Sequence, residues 1–598
     1  MKQRYFKLML LLMSIWSLSS CTDYLKTESN STFTEEKVFS NLDFATKAVN
    51  GMYADLTSNT WYTYNYLFFK VDNDIEINLS ANNASTTSVS HYAADEGNGV
   101  TKSVWDLLYK SIERANTIID DLPNSPIWTN EFAAKAQQLY GETVTLRANC
   151  YYELISMWGD VPFKEKSSQS WDNFFLPKTD RDSIYVKLIK ELAEVEKYVP
   201  WMSDTHTSQR VNKAFVKGLR AKMALAYAGY SLRNKTFETR RGKDWQAYYK
   251  IANQECREVI ESGKHQLNPN FANIFKTMQS YSMDLTYNEV LFEVAFGRLV
   301  TGRIAELFGM YFDQSTKYGR GYTNFNVPIS YFYSFDRTDT RRNVSTELYY
   351  YNSNGVQAIS FNAARACPCK WRKSWINPSM GGSYASSGYT GVNWPMMRYA
   401  DIVLMYAETE NEINGAPTTA AKDALSSVRN RAFPAALQVS KVKNYVDSVA
   451  VSKDAFFNAI VDERAWEFGG ELVRKYDLVR WNLLGTKINK MKDECQKIIN
   501  DDPKYAKIVP NYLFTKLLAD GETLDILNPD YRLPSTAIPG YSISYGWPFA
   551  SAAAKTSFNT TMGYVANGYN MAKNNHLLPL SSGTISSSNG TLSNDQIP

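Results

Sequence analysis

The sequence is poor in the residues that build metal centres, disulfide frameworks and proton shuttles. It has four histidines and six cysteines in 598 residues. Five cysteines follow Cys21, an odd and scattered set that does not describe a disulfide framework. They are Cys150, Cys256, Cys367, Cys369 and Cys495. Cys367-Pro368-Cys369 has no second cysteine pair or histidine nearby, so we expect no metal site there and no cofactor.

The sequence also lacks an excess of charge. Its formal net charge is +4, and Lys2, Arg4 and Lys7 in the first twenty residues supply three of those positive charges. The remainder of the chain is therefore close to neutral. Bulk charge does not favour a nucleic acid or an anionic membrane surface as a partner.

A long apolar run is missing as well, since spanning a bilayer takes about 20 apolar residues. The run at residues 8–16 is shorter, follows three basic residues and precedes small residues, which predicts a secretory signal peptide over 1–20. Leu18-Ser19-Ser20-Cys21 resembles the bacterial lipobox, which implies acylation of Cys21. Two or more acyl chains hold a protein firmly to a membrane. Residues 21–37, rich in Ser, Thr and Asn, are interpreted as a lipidated tether.

Aromatic residues are abundant, with 40 Tyr and 14 Trp making a large share of the 14% aromatic content. This balance favours contact surfaces over histidine chemistry. A chain of this length is too long for one compact core and should form two or more lobes or a repeat array.

Helical periodicity dominates residues 38–264. Apolar residues recur at spacings of three and four in two segments, as one buried helix face requires. These residues are Trp105, Leu108, Ile112, Ala115 and Ile119, then Leu139, Leu146, Cys150, Leu154 and Met157. Another helix is predicted over 180–198, with Asp182 or Ser183 as its N-cap.

A stripe of small residues marks the helix predicted near residues 210–232. It consists of Ala214, Gly218, Ala221, Leu225 and Ala228. Small residues let helix axes approach closely, as in tetratricopeptide-like arrays of antiparallel pairs. No strict 34-residue repeat is visible, so an irregular helical bundle remains the alternative.

Residues 265–598 are predicted to combine a loop-rich lobe with further helices. Between about 265 and 395 the chain has no helical period, and the apolar string at 290–294 predicts a strand. Helical pattern returns at 398–413, 418–431 and 455–468. Long loops on a rigid scaffold are where binding sites usually lie.

Ten segments occur in the order found in one known family. They are VFSNLDFATKAVNGMYADL (38–56), VWDLLYKSIERANTII (104–119), LRANCYYELISMWGDVP (146–162), RDSIYVKLIKEL (181–192), RVNKAFVKGLRAKMALAYAGYSL (210–232), NEVLFEVAFG (288–297), FYSFDRTDTRR (332–342), WPMMRYADIVLMYAETENEING (394–415), ERAWEFGGELVRKYDLVRW (463–481) and LLPLSSGTISSSNGTLSND (577–595). By these segments and the lipobox, the chain resembles the SusD/RagB family.

The resemblance implies a mostly α fold, with a tetratricopeptide-like helical scaffold of about four helix pairs and a large loop-rich irregular lobe. It also implies a surface-exposed, lipid-anchored (palmitate-bearing) protein of the Bacteroidetes outer membrane. Members of the family capture substrates for a SusC-like TonB-dependent transporter. Most bind glycans, some capture peptides, and they are not hydrolases.

Ligand-site residues are predicted from the aromatic loops, because flat rings match the C–H faces of sugars and polar side chains match their hydroxyls. The predicted residues are Trp61, Tyr62, Tyr64, Asn82, His91, Tyr92, Tyr322, Trp371, Arg372 and Trp375. We expect Trp61 and Trp375 to be exposed ring platforms, with Asn82 and Arg372 as polar partners. Core packing is the alternative for each ring.

The segment ERAWEFGGELVRKYDLVRW raises the possibility of a glycoside hydrolase. Glu463 and Glu467 lie at i, i+4 spacing, about 5–6 Å between Cβ atoms, which is close to the separation used by retaining glycosidases. Catalytic carboxylates flank the scissile bond, however, whereas these project along one helix face. We expect ion pairs around two helices joined at Gly469-Gly470, and no enzyme.

The sequence therefore leaves three functional hypotheses, each with a different expected result. A ligand-capture lipoprotein binds an oligosaccharide or a peptide and returns it uncleaved. A hydrolase releases reducing ends, and this release disappears in Glu463→Gln. A pure interaction scaffold co-purifies with a transporter but binds no glycan and no peptide.

Overall fold

The computed structural model describes residues 35–170, 173–313, 318–360, 364–376, 388–545 and 552–595. The predicted signal peptide, Cys21 and most of the predicted tether lie outside these residues. Within the described ranges, no helix is long and apolar enough to cross a membrane.

Thirteen helices of seven residues or more form the frame of the described chain. They are α1 (Leu42–Leu56), α2 (Gly99–Asp121), α3 (Ala133–Trp158), α4 (Arg181–Val195), α5 (Lys213–Ala228), α6 (Trp245–Glu261), α7 (Phe271–Gln279), α8 (Tyr399–Asn414), α9 (Thr419–Asn430), α10 (Lys453–Phe468), α11 (Arg474–Arg480), α12 (Leu484–Ile499) and α13 (Ala552–Tyr564). Shorter helices cover Glu35–Phe39, Ser85–Ser90, Met202–Thr205, Ile304–Leu307, Ile329–Phe332, Arg342–Ser345, Asn444–Val449 and Ser582–Ser586.

The helical scaffold is a series of packed pairs. The pairs are α2 with α3, α4 with α5, and α6 with α8, and the fourth is α9 with α10, which pack chiefly on α8 and less on each other. Each pair also contacts the next, through α3 and α4, α5 and α6, and α8 and α9. The predicted mostly α scaffold of about four helix pairs is confirmed. The loop-rich lobe is inserted between the two helices of the third pair.

The predicted helix faces are buried as the periodicity requires. In α2, four of the five predicted residues are buried and Ile119 is half-buried, and in α3 all five are buried. The N-cap prediction for α4 was wrong. Asp180 caps this helix, because its side chain accepts a hydrogen bond from the Asp182 backbone N–H at 2.8 Å.

Gly218 shows why α5 carries small residues. Its position faces Met397 and Ile402, and a Cβ added there would clash with both side chains. Glycine therefore allows α5 to approach α8 and the strand before it. This close approach joins the second and third helix pairs.

Seventeen short strands pair into small sheets in the described chain. They are β1 (Ile77–Asn78), β2 (Val161–Pro162), β3 (Lys178–Thr179), β4 (Tyr230–Leu232), β5 (Thr239–Arg241), β6 (Val290–Val294), β7 (Phe308–Phe312), β8 (Gly321–Thr323), β9 (Phe325–Pro328), β10 (Thr346–Glu347), β11 (Tyr349–Tyr351), β12 (Gln357–Ile359), β13 (Arg365–Pro368), β14 (Trp394–Arg398), β15 (Tyr512–Leu517), β16 (Leu524–Ile526) and β17 (Ser542–Tyr545). The strand predicted at 290–294 is confirmed as β6.

Two four-stranded sheets build the lobe. Their strand orders are β1-β9-β13-β10 and β12-β11-β7-β8. β6 pairs antiparallel with β14, which leads directly into α8. The lobe is thus fastened to the scaffold at both of its ends, and its sheets position the largest cavity described below.

A buried ion-pair network lies between the lobe and the scaffold. Glu467 of α10 is fully buried and contacts Arg341 at 3.1 Å, Arg398 at 2.9 Å and Arg431 at 2.6 Å. Burial alone would raise the pKa of Glu467, but these three arginines hold it well below its usual range. The prediction of an interhelical ion-pair cluster is confirmed, and the cluster is buried rather than solvated.

The network extends in both directions along α10. Its carboxylates are Asp339, Glu289, Glu463, Glu467 and Glu471, and its cations are Arg341, Lys370, Arg398, Arg429 and Arg431. The five negative and five positive charges balance, as burial requires. Asp339, Arg341 and Lys370 belong to the lobe, so the network fastens the lobe to the scaffold.

The two glycines end α10 and separate it from α11, as predicted. Gly470 has φ = +90°, a conformation that side chains rarely adopt. Its N–H and that of Leu472 donate to Glu76 Oε1, at 3.0 and 2.9 Å. Burial raises the pKa of Glu76 to about 7, against the opposing effect of these hydrogen bonds.

Glu467→Gln tests the network. The variant leaves three buried arginines facing fewer anions, so the free energy of unfolding should fall by about 3–5 kcal/mol. Because the folded-state pKa of Glu467 is lowered, this stabilisation is present at neutral pH and is lost as the pH falls through the folded pKa. Denaturant unfolding at pH 7 measures the change. Asp447→Asn, which breaks the exposed pair with Lys443, is the control and should leave the midpoint unchanged. An equal midpoint for Glu467→Gln and wild type would contradict the account.

Candidate ligand-binding site

Trp61 and Tyr62 lie in the core. The Trp61 side chain is 1% exposed and stacks on Tyr62 with ring centroids 5.4 Å apart. The Tyr62 hydroxyl donates to Glu153 Oε1 at 3.0 Å. The expectation that Trp61 is an exposed platform was wrong, because the surrounding protein encloses the ring.

The polar loop after this segment is held by a buried carboxylate. Asp72 lies 2.5 Å from His91 Nδ1, and its carbonyl oxygen accepts a hydrogen bond from the Tyr92 hydroxyl at 2.8 Å. His91 and Tyr92, which were predicted to bind a ligand, are both buried and anchor the loop. Asn82 is exposed, and its Oδ1 accepts a hydrogen bond from the Thr87 hydroxyl at 2.7 Å.

The predicted residues Trp371, Arg372 and Trp375 are also largely enclosed. Trp371 is fully buried, against expectation, and its Nε1 donates to the Gly470 carbonyl at 2.8 Å. Arg372 is buried and donates to the Tyr349 hydroxyl at 3.1 Å. Its guanidinium lies 4.6 Å from the ring centroid of the half-buried Trp375. A ligand role for Arg372 and Trp375 stays a prediction.

Tyr322 belongs to β8, and its side chain lies outside the described part of the chain.

Tyr64, a predicted ligand residue, lies near Tyr389, because Arg303 contacts both rings. The Arg303 guanidinium lies 4.5 Å from the ring centroid of Tyr64 and 5.8 Å from that of Tyr389. Asn59 donates to the Tyr389 hydroxyl at 3.3 Å. Glu306 holds Arg303 with two hydrogen bonds, at 2.7 and 3.2 Å. The arginine covers Tyr64, which weakens the case for this ring as a sugar platform.

A cavity of about 500 Å³ lies in the loop-rich lobe. Pockets for small ligands typically measure about 300–1,000 Å³ and combine apolar walls with a few polar groups. Strands of both lobe sheets and helix α13 supply its walls. The lining residues are Tyr311, Asp313, Thr323, Asn326, Tyr350, Ser360, Arg365, Cys367, Ala554, Ser557 and Phe558.

Two tyrosines form the aromatic part of this cavity. Tyr311 of β7 and Tyr350 of β11 are both half-buried, with ring centroids 5.6 Å apart and planes inclined by 52°. Burial raises the pKa of Tyr311, and the Asp313 charge adds to this shift, so the phenol is neutral at pH 7. Neutral phenols offer ring faces and hydroxyl groups to a ligand.

The polar part of the cavity centres on Arg365 and Asn326, on the paired strands β13 and β9. Arg365 Nη1 donates to Asn326 Oδ1 at 2.6 Å. Asn326 is 2% exposed, so this bond fixes the guanidinium against a rigid wall. Thr323 and Ser557 add hydroxyl groups to the rim.

None of these cavity residues was predicted from the sequence. Tyr311 and Tyr350 lie on strands of five and three residues whose pairing depends on β7 and β11 meeting across nearly forty residues. The sequence carries only a weak signal for the cavity residues. The loop-rich texture of 265–395 pointed to the lobe but not to individual rings.

Another cavity, of about 300 Å³, lies beside α10 and α12. Most of its charged lining is paired internally, as in Lys487 with Asp462 and Arg474 with Asp74. Such pairs leave few polar groups for a ligand. The lobe cavity is therefore the better candidate.

Metal-ligating side chains do not gather in the described ranges, where no group of three or more His, Cys, Asp or Glu could hold an ion. Cys367 and Cys369 are buried and free, and burial raises the pKa of the Cys367 thiol to about 11. Neither is a reactive thiolate at neutral pH.

Two family models match the chain in succession. One, described as "Starch-binding associating with outer membrane", covers residues 23–255, and the other, described as "SusD family", covers 233–529. The chain belongs to the SusD-like family. The predicted resemblance is confirmed.

Curated SusD-like relatives are identical to the chain at about a quarter of the aligned positions. SusD-like protein P25 of Formosa agariphila is 24% identical over 511 residues, covering 79% of this chain and 88% of the relative. A SusD-like protein of Bacteroides ovatus is 23% identical over 394 residues, covering 63% of this chain and 65% of the relative.

Solved SusD-like structures share the fold. A SusD homologue from Bacteroides thetaiotaomicron superposes with a TM-score of 0.68 at 22% identity, covering 79% of this chain and 91% of the other. Surface glycan-binding protein A from the same species, in complex with laminarihexaose, gives 0.58 at 18% identity, covering 92% and 99%.

Proposed function

We propose that this SusD-like protein is a non-catalytic, cell-surface glycan-binding lipoprotein that captures oligosaccharides in the lobe cavity. The observation that carries the proposal is the pairing of two half-exposed tyrosine rings with a fixed Arg365–Asn326 pair in a cavity of ligand size. Ring faces suit the C–H faces of sugars, and the polar groups suit their hydroxyls.

The solved neighbours support this ligand class. One holds laminarihexaose and another was solved with a xylogluco-oligosaccharide. Peptide capture is the alternative within the family.

Catalysis is disfavoured by the positions of the carboxylates. Glu463 and Glu467 are fully buried and engaged by arginines, and neither lines the cavity. Asp313 is the single carboxylate among the described lining residues, whereas glycoside hydrolysis uses a pair.

Tyr350→Ala and Tyr311→Ala test the binding site. Each should weaken oligosaccharide binding by about 1–3 kcal/mol, the range for loss of a stacking ring in other recognition sites. Calorimetric titration of the chain from residue 22 onward, with a panel of neutral and acidic oligosaccharides, measures the loss. Product chromatography should show the ligand uncleaved.

Tyr248→Ala is the matched control, since Tyr248 is half-buried on the scaffold helix α6. It should bind as wild type does. Equal affinities in folded Tyr350→Ala, Tyr311→Ala and wild type would exclude this cavity. If the protein binds peptides and no glycan, the proposed ligand class is wrong and peptide capture is the function.

The proposed cellular setting is the outer membrane, with Cys21 acylated and a SusC-like TonB-dependent transporter receiving the ligand. The lipobox-like Leu18-Ser19-Ser20-Cys21 and the family model's outer-membrane description support this setting. The chain would be tethered by lipid, with the scaffold and lobe outside the bilayer.

Cys21→Ala tests the anchor. The variant should lose palmitate labelling and leave the membrane fraction, because the acyl chains attach at this thiol. Thr27→Ala, in the predicted tether, should remain labelled and membrane-bound. Wild-type protein extracted in mild detergent should co-purify with a TonB-dependent transporter. Continued labelling of Cys21→Ala, or purification of the wild type without any transporter, would contradict the corresponding part of the proposal.

A further inference from the structure

The Arg365 guanidinium at the lobe cavity forms no ion pair with a described carboxylate, although Asp313 also lines the cavity. The Arg365 guanidinium has a single described hydrogen bond, to Asn326, and no described carboxylate lies within ion-pair distance. The segments 314–317, 361–363 and 546–551, outside the described ranges, contain no Asp or Glu. Their side chains therefore cannot supply the missing negative charge.

Three other arginines of the lobe form ion pairs with carboxylates. Arg341 pairs with Asp339 at 2.8 Å, and Arg342 pairs with Asp530 at 2.7 Å. Arg303 pairs with Glu306 at 2.7 Å. These three arginines face carboxylates, and the buried Arg372 is held by carbonyl and hydroxyl acceptors, whereas Arg365 lies at a cavity wall with one described hydrogen bond.

The geometry of Arg365 suits an anionic oxygen group on the ligand. A guanidinium carries five N–H donors in a planar fork, and a carboxylate can accept two of them in parallel. Asn326 uses Nη1 and is itself held by the wall, so the fork is oriented before the ligand arrives. The tyrosine rings of the same cavity provide the surface for a sugar ring.

We propose that the ligand of this cavity is an acidic saccharide, whose uronic acid carboxylate binds Arg365 while its sugar ring contacts Tyr311 and Tyr350. This inference rests on the proposed function and adds the class of saccharide. A sulfate ester carries the same charge and can also accept two parallel N–H donors, so the experiment below includes sulfated ligands as a separate arm.

Three sets of ligands test the inference on the chain from residue 22 onward. They are oligogalacturonides and glucuronate-containing oligosaccharides, the same oligosaccharides after carboxyl reduction, and sulfated neutral oligosaccharides. At least one uronate ligand should bind about 10- to 100-fold more tightly than its reduced form, the range for a hydrogen bond to a charged group. The preference should shrink as salt is added.

Arg365→Gln should abolish this preference, so that the uronate ligand and its reduced form bind with equal affinity. Asn326→Asp is the second variant, because a carboxylate beside Arg365 neutralises the charge while the arginine stays in place. It should have the same effect. Arg240→Gln, on an exposed scaffold strand, should keep the wild-type preference.

Equal binding of a uronate ligand and its reduced form would overturn the inference and leave glycan binding intact. An unchanged preference in folded Arg365→Gln or Asn326→Asp would overturn it as well, as would a preference for the sulfated ligands or for acidic peptides. Failure of every glycan to bind would instead overturn the proposed function itself.

Discussion

The balanced, buried charges around α10 are the constraint on which the rest of this structure depends. Glu467 meets three arginines with no access to water, and each of those arginines comes from a different part of the chain. A buried charge left without its partner is very costly. The lobe, the third helix pair and the fourth helix pair must therefore all be in place together for the network to be neutral.

The buried ion-pair network also fixes the positions of the cavity walls. Because the lobe is inserted between α6 and α8 and is fastened by Asp339, Arg341 and Lys370, its sheets are held to a rigid scaffold. The cavity walls belong to those sheets. Short strands alone would hold the side chains of a site loosely. Attached to the scaffold, they keep the two tyrosine rings and the guanidinium in fixed positions.

The sequence predicted the scaffold well because its information is local. Periodic apolar residues predicted α2 and α3, and a short apolar run predicted β6. The stripe of small residues predicted the close helix approach at Gly218. The charged segment at the end of α10 also indicated its role, since carboxylates on one helix face with arginines nearby can pair but cannot flank a substrate.

The site was predicted poorly because exposure is decided by distant neighbours. Trp61 sits in a polar, aromatic segment that looks like a surface loop, yet Tyr62 and the core enclose it. Tyr311 and Tyr350 stand in unremarkable strings, and only the pairing of β7 with β11 brings them to one cavity. Composition pointed to the lobe that holds the cavity, whereas the individual rings that line it required the three-dimensional structure.

The most direct test of the central claim is a crystal structure of the protein with a bound oligosaccharide chosen from the binding panel. The account predicts a sugar ring against Tyr311 and Tyr350 in the lobe cavity, within hydrogen-bonding distance of Arg365, with α10 and its ion pairs unchanged. A sugar bound elsewhere, for example at Tyr64 and Tyr389, with the lobe cavity empty, would contradict it.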